Sequence, residues 1–103
     1  METNTIILKN EVDYQNDTIV SKQLIKSQAG NITLFAFSKG EGLSEHTAPF
    51  DAFVNILDGS AKIFIDKKEH VLKSGESIIM PANISHSLQA EEQFKMMLVM
   101  IRG

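Results

Sequence analysis

Two of the three histidines in this 103-residue chain lie in segments bounded by turn-forming residues. His46 falls in Gly42-Leu43-Ser44-Glu45-His46-Thr47-Ala48-Pro49-Phe50-Asp51-Ala52. His86 closes Gly75-Glu76-Ser77-Ile78-Ile79-Met80-Pro81-Ala82-Asn83-Ile84-Ser85-His86. An imidazole can ligate a transition metal, move a proton or anchor a polar group of a ligand. Residues two apart in a strand share a face. Positions 46 and 48 therefore project into one space, as do 52, 54 and 56 in the same register. Ala48 and Ala52 bring no lone pair to that space. Asp51 and Glu45 are the nearest carboxylates. Strict alternation turns Asp51 away from the face of Ala52, and only a bulge beside Pro49 brings it inward. His70, between Glu69 and Val71, reads as an ordinary strand residue. A phosphate-binding glycine loop, a nucleophile elbow and an HExxH pair are all missing from the sequence.

The elements that must position these residues are short strands. Gly30-Asn31, Gly40-Glu41-Gly42, Asp58-Gly59, Asp66-Lys67-Lys68, Ser74-Gly75 and Pro81-Ala82-Asn83 read as turns. Between them, runs rich in β-branched and aromatic residues predict strands over 18–25, 32–37, 53–57, 61–65, 69–72, 77–80, 86–89 and 95–101. Ile63 and Ile65 alternate with Lys62 and Phe64, the period of a half-buried strand. The best helical stretch, 9–16, is good for a turn or two. Phe35, Phe37 and Met80 are expected to wall a pocket.

Segments 42–59 and 75–86 resemble the paired motifs of the cupin family. The family's first motif runs Gly, five residues, His-x-His, three or four residues, Glu, six residues, Gly. Its second runs Gly, five residues, Pro-x-Gly, two residues, His. Here Gly42, His46 and Gly59 keep part of the first, and the second departs in Asn83 for the usual Gly. His46 and His86 stand at two metal-ligand positions, Ala48 stands where another His belongs, and Ala52 stands where the Glu belongs. The resemblance covers residues 24–101 and is closest to a subgroup of small single-domain bacterial cupins. It implies an all-β, antiparallel jelly-roll barrel (a double-stranded β-helix) as one domain over 1–103. It also implies a site for iron, manganese, nickel, copper or zinc. With two of the four donors replaced by methyl groups, the expected occupant is a partly apolar small molecule and not a metal: a metabolite-binding or sensing barrel. The alternative is a metal-dependent enzyme of the dioxygenase or isomerase type, with His46 and His86 as a reduced ligand set and Asp51 turned inward to join them.

Composition narrows the partners. Net charge is −3 with Lys and Arg scattered, which gives no basic patch for nucleic acid or an anionic membrane. There is no cysteine, so disulfides and thiolate metal sites are excluded, in keeping with a reducing cytoplasm. No apolar run approaches a membrane span, and the first residues show no basic-then-apolar leader pattern. The last strand, 95–101, is apolar on both faces. One face belongs to the interior; the other is expected to meet a second copy, with residues 5–8 pairing on the partner's sheet edge. Light scattering at micromolar concentration is expected to give twice the chain mass of 11.5 kDa. A monomer there removes the homodimer.

Overall fold

One long strand ties the two halves of the protein together. The structure, a computed structural model, describes residues 4–102. A 3-10 turn, Leu8–Asn10, precedes eight strands: β1 Ile19–Ser27, β2 Gly30–Phe37, β3 Gly42–His46, β4 Asp51–Ile65, β5 Lys68–Lys73, β6 Ser77–Met80, β7 His86–Gln89 and β8 Phe94–Ile101. All pairings are antiparallel. The first half of β4 pairs with β8 and β6, and its second half pairs with β5 and β7. β2 and β1 extend the first sheet beyond β8, and β3 extends the second beyond β7. The result is an antiparallel jelly-roll barrel. Among the described residues no helix is long and apolar enough to cross a membrane.

Asp58-Gly59, expected to be a turn between two strands, is instead a bend inside β4. The register of β4 against β8 slips between Ile56 and Asp58. Before the slip, Ala52, Val54 and Ile56 face inward; after it, Ala61 and Ile63 do. The loop before β6 holds this bend by its backbone. Gly75 N–H donates to the Ile56 carbonyl at 2.8 Å, and Ser74 N–H donates to the Gly59 carbonyl at 3.1 Å. Asp66 and Lys67, with φ of 50° and 64°, make the two-residue β4–β5 hairpin turn.

The interior core is Phe37, Val54, Ile56, Ile63, Leu88, Phe94 and Met96 with smaller residues between them. Phe37 stacks on Phe94 with ring centroids 4.5 Å apart. A second cluster lies on the outside of the first sheet. There the N-terminal segment lays Leu8, Val12 and Tyr14 over Leu34, Ala36, Leu57 and Met97. Tyr14 donates a hydrogen bond to Asp58 Oδ2 at 2.6 Å. Burial, and then that bond, hold the phenol above its ordinary pKa. Lys95 Nζ sits 4.9 Å over the Tyr14 ring and donates to the Lys9 carbonyl at 2.6 Å.

This strap covers half of the outer face. Beyond it one row of side chains crosses five strands in register: Ile79 of β6, Phe53 of β4, Val99 of β8, Ile32 of β2 and Ile25 of β1. Ile79 is 60% exposed and Ile25 57%, so none of the described residues packs over the ends of that row.

Gly59 is the position the bend depends on. Its φ is +73°, and a Cβ there would lie 2.2 Å from the Gln93 carbonyl oxygen. Gly59→Ala is expected to lower unfolding free energy by about 2 kcal/mol or more, read from urea midpoints. A loss below about 0.5 kcal/mol would mean that the bend relaxes freely.

Candidate functional site

Local chain geometry brings His46 and His86 together. β3 pairs with β7 so that His46 lies directly opposite His86, with a register slip between Leu43 and His46. On its other side, His86 pairs with Ile65 of β4. The turn before β7 is fastened from two sides. Asn83 takes φ of 64°, which Asn tolerates, and its N–H donates to the Ala48 carbonyl at 2.8 Å. Asp51 Oδ1 accepts from the Ala82 N–H at 2.8 Å.

Each ring is locked by a carbonyl two residues earlier. His46 Nδ1–H donates to the Ser44 carbonyl at 2.7 Å, and His86 Nδ1–H donates to the Ile84 carbonyl at 3.3 Å. The two Nε2 atoms face each other at 3.0 Å, within hydrogen-bond distance. The ring planes cross at 72° with centroids 4.3 Å apart. His46 is exposed, whereas His86 is 6% exposed. Burial, and then the adjacent His46 ring, push the His86 pKa below its ordinary value, against a smaller upward pull from the Ile84 carbonyl.

Behind the pair is a cavity of about 60 Å³, lined by Leu43, His46, Ala48, Ala52, Met80, His86, Leu88, Met96, Leu98 and Met100. Of the residues expected at a pocket, His46, His86, Ala48, Ala52 and Met80 line it together. Phe35 and Phe37 do not: both pack with the interior core. Asp51 is exposed and spends a carboxylate oxygen on the 81–83 turn, because alternation along β4 holds and no bulge rotates it inward. Glu45 is exposed as well. Met96, Leu98 and Met100 are the lining residues the sequence left undecided. Their shared parity on β8 was visible, but which face was interior was not.

The donor set does not fit the divalent metal of the cupin pattern. Among the described residues no group of three or more His, Cys, Asp and Glu side chains is placed to hold an ion. Two imidazoles meet methyl groups at Ala48 and Ala52, and no carboxylate lines the cavity to balance a double charge.

The cupin domain profile matches residues 33–102. The chain belongs to the cupin family. A conserved protein of unknown function from Streptococcus pyogenes is 37% identical, with a TM-score of 0.94 over 100% of this chain and 90% of that one. A cupin 2 conserved barrel domain protein from Leptotrichia buccalis is 45% identical, with a TM-score of 0.90 over 92% of this chain and 46% of that one. A cupin superfamily protein from Desulfitobacterium hafniense is 25% identical, with a TM-score of 0.93 over 100% and 94%. No curated protein matches the chain.

The His86 environment sets a pH dependence in this cupin. Its folded pKa lies below the usual 6.5, so in the interval between the two the unfolded chain binds a proton that the folded chain refuses. The stability from the neutral ring is complete above 6.5 and is lost as pH falls through the folded value. Urea midpoints are expected to drop on acidification below 6.5, and less steeply in His86→Gln. Equal slopes in the two proteins would place the acid sensitivity elsewhere.

Proposed function

We propose that this cupin is a small-molecule-binding module, its ligand held by the His46–His86 pair with an apolar part in the cavity behind. The observation that carries this reading is the pair itself. Two Nε2 atoms converge at the mouth of an apolar cavity, each fixed by a backbone carbonyl, while the other two donor positions of the family hold alanine. Imidazole nitrogens so placed hydrogen-bond to a ligand hydroxyl or N–H. Thioether and aliphatic walls accept carbon. The cavity of about 60 Å³ limits what enters. A benzene ring fills an apolar cavity of about 150 Å³, so the inserted part is smaller than that. The rest of the ligand leaves past the exposed His46 ring.

A homodimer belongs to the same reading. The bare row from Ile79 to Ile25 crosses five strands, and Ile101, 61% exposed, lies beside it. Strands spaced about 4.8 Å apart make this an apolar strip about 20 Å long. A strip of that kind is self-complementary about a two-fold axis. The exposed Ile6 and Ile7 of the strap are free to extend the contact.

Thermal shift and histidine NMR against a library of small alcohols, enols and hydroxy acids test the binding reading. Binders are expected to raise the melting temperature, to move the His46 and His86 resonances, and to lose affinity at least tenfold in His46→Ala and in His86→Gln. Binders that hold equally well to both variants would overturn it.

A further inference from the structure

We propose that the ligand of the His46–His86 pair is a short aliphatic monocarboxylate, its charge against the rings and its alkyl group in the cavity behind them. This names a ligand class for the binding reading above and rests on that reading.

The first support is a count of protons. The ring nitrogens of the pair make three hydrogen bonds: His46 Nδ1–H to the Ser44 carbonyl, His86 Nδ1–H to the Ile84 carbonyl, and one Nε2 to the other at 3.0 Å. A neutral imidazole carries a single N–H. Two neutral rings therefore bring one proton fewer than these bonds need. The fully hydrogen-bonded pair holds the extra proton between its Nε2 atoms and carries one positive charge.

The second support is that nothing in the lining answers this charge. Apart from the pair, the lining is leucine, alanine and methionine. The carboxylates of the adjoining segments stay outside: Glu45 of β3 and Asp51 of β4 are exposed, and Asp51 accepts from the Ala82 N–H. A charge withdrawn from water needs an opposite charge beside it. Burial and the neighbouring ring both weigh against a proton on His86. An anion at the rings reverses that balance, because an opposite charge favours the charged form. The chain supplies no such anion to the cavity, so the ligand has to bring it. One negative charge matches one proton, which selects a monocarboxylate over a dicarboxylate or a phosphate.

Size sets the rest of the molecule. The cavity of about 60 Å³ is enclosed by aliphatic and thioether groups. A water molecule's share of liquid volume is about 30 Å³, so the space suits an alkyl group of about two carbons. Propionate meets both conditions, with acetate and butyrate on either side of it. The unbranched methionine side chains adjust to such small differences in chain length.

The test is a titration of the untagged, histidine-15N-labelled protein with propionate, followed by NMR of the ring nitrogens. The expected result is one saturable site per chain, with a Kd of about 1 mM or below, and a complex in which three of the four ring nitrogens of the pair are protonated. Propionamide, of the same shape without the charge, is expected to bind at least tenfold more weakly. So is benzoate, which has the charge but is too large for the cavity. His46→Ala, which removes an exposed ring, and His86→Gln are each expected to weaken propionate at least tenfold. The absence of saturable binding, equal affinity for propionamide or benzoate, or a complex with only two protonated ring nitrogens would each overturn the carboxylate. If propionamide binds as well as propionate and loses its affinity in His46→Ala, the carboxylate falls and the binding module stands. Propionate that both variants bind as well as the unaltered protein lies elsewhere, and that result overturns the carboxylate at this pair; the library of neutral binders then decides the module separately.

Discussion

The inward side chains on both halves of β4 owe their direction to the slip between Ile56 and Asp58. A strand alternates faces with period two, so an unbroken register would carry the parity of Ala52, Val54 and Ile56 on to Asp58, Ser60 and Lys62. That would drive an acid and a base into the interior. The slip inserts one residue, changes the parity, and points Ala61 and Ile63 inward instead. It also lets one strand serve two sheets, which is how a chain of 103 residues closes a core around so few elements. Gly59 is needed there because Gln93 passes close enough to exclude a side chain.

The site follows from the same alternation. Ala52 faces the cavity because it shares parity with Val54 and Ile56; Asp51, one residue earlier, must then face out. Its carboxylate is used instead to fasten the turn that delivers His86. A residue that the sequence offers as a ligand thus acts as a positioning residue. The chemistry left inside consists of two imidazoles whose Nε2 atoms meet at 3.0 Å and three methionines in an apolar wall.

The outer face of the first sheet shows two solutions to one problem. Where Leu8, Val12 and Tyr14 lie across it, Leu34 and Ala36 are fully buried. Fully burying an aliphatic side chain is worth about 1.5–3 kcal/mol, and the Tyr14–Asp58 bond fixes the strap in place. Where the strap ends, the Ile79–Phe53–Val99–Ile32–Ile25 row stays open. The apolar outer face of β8 is therefore half covered by its own chain. Met97 lies under the strap and Ile101 lies outside it.

What the sequence determined by itself was local. Turn residues and β-branched runs located the strands, and the two glycine-bounded segments pointed to the barrel and to His46 and His86. The alternation of Met96, Leu98 and Met100 was already legible. Three things were decided only by tertiary structure, each because it depends on a partner strand. The bend at Asp58-Gly59 reads as a turn until β8 and the 74–76 loop are seen to hold it within one strand. Strand β3, Gly42–His46, is too polar to announce itself and exists because β7 pairs with it. The sulfur lining follows from which face of β8 the barrel encloses, and a strand apolar on both faces cannot specify that by its own sequence.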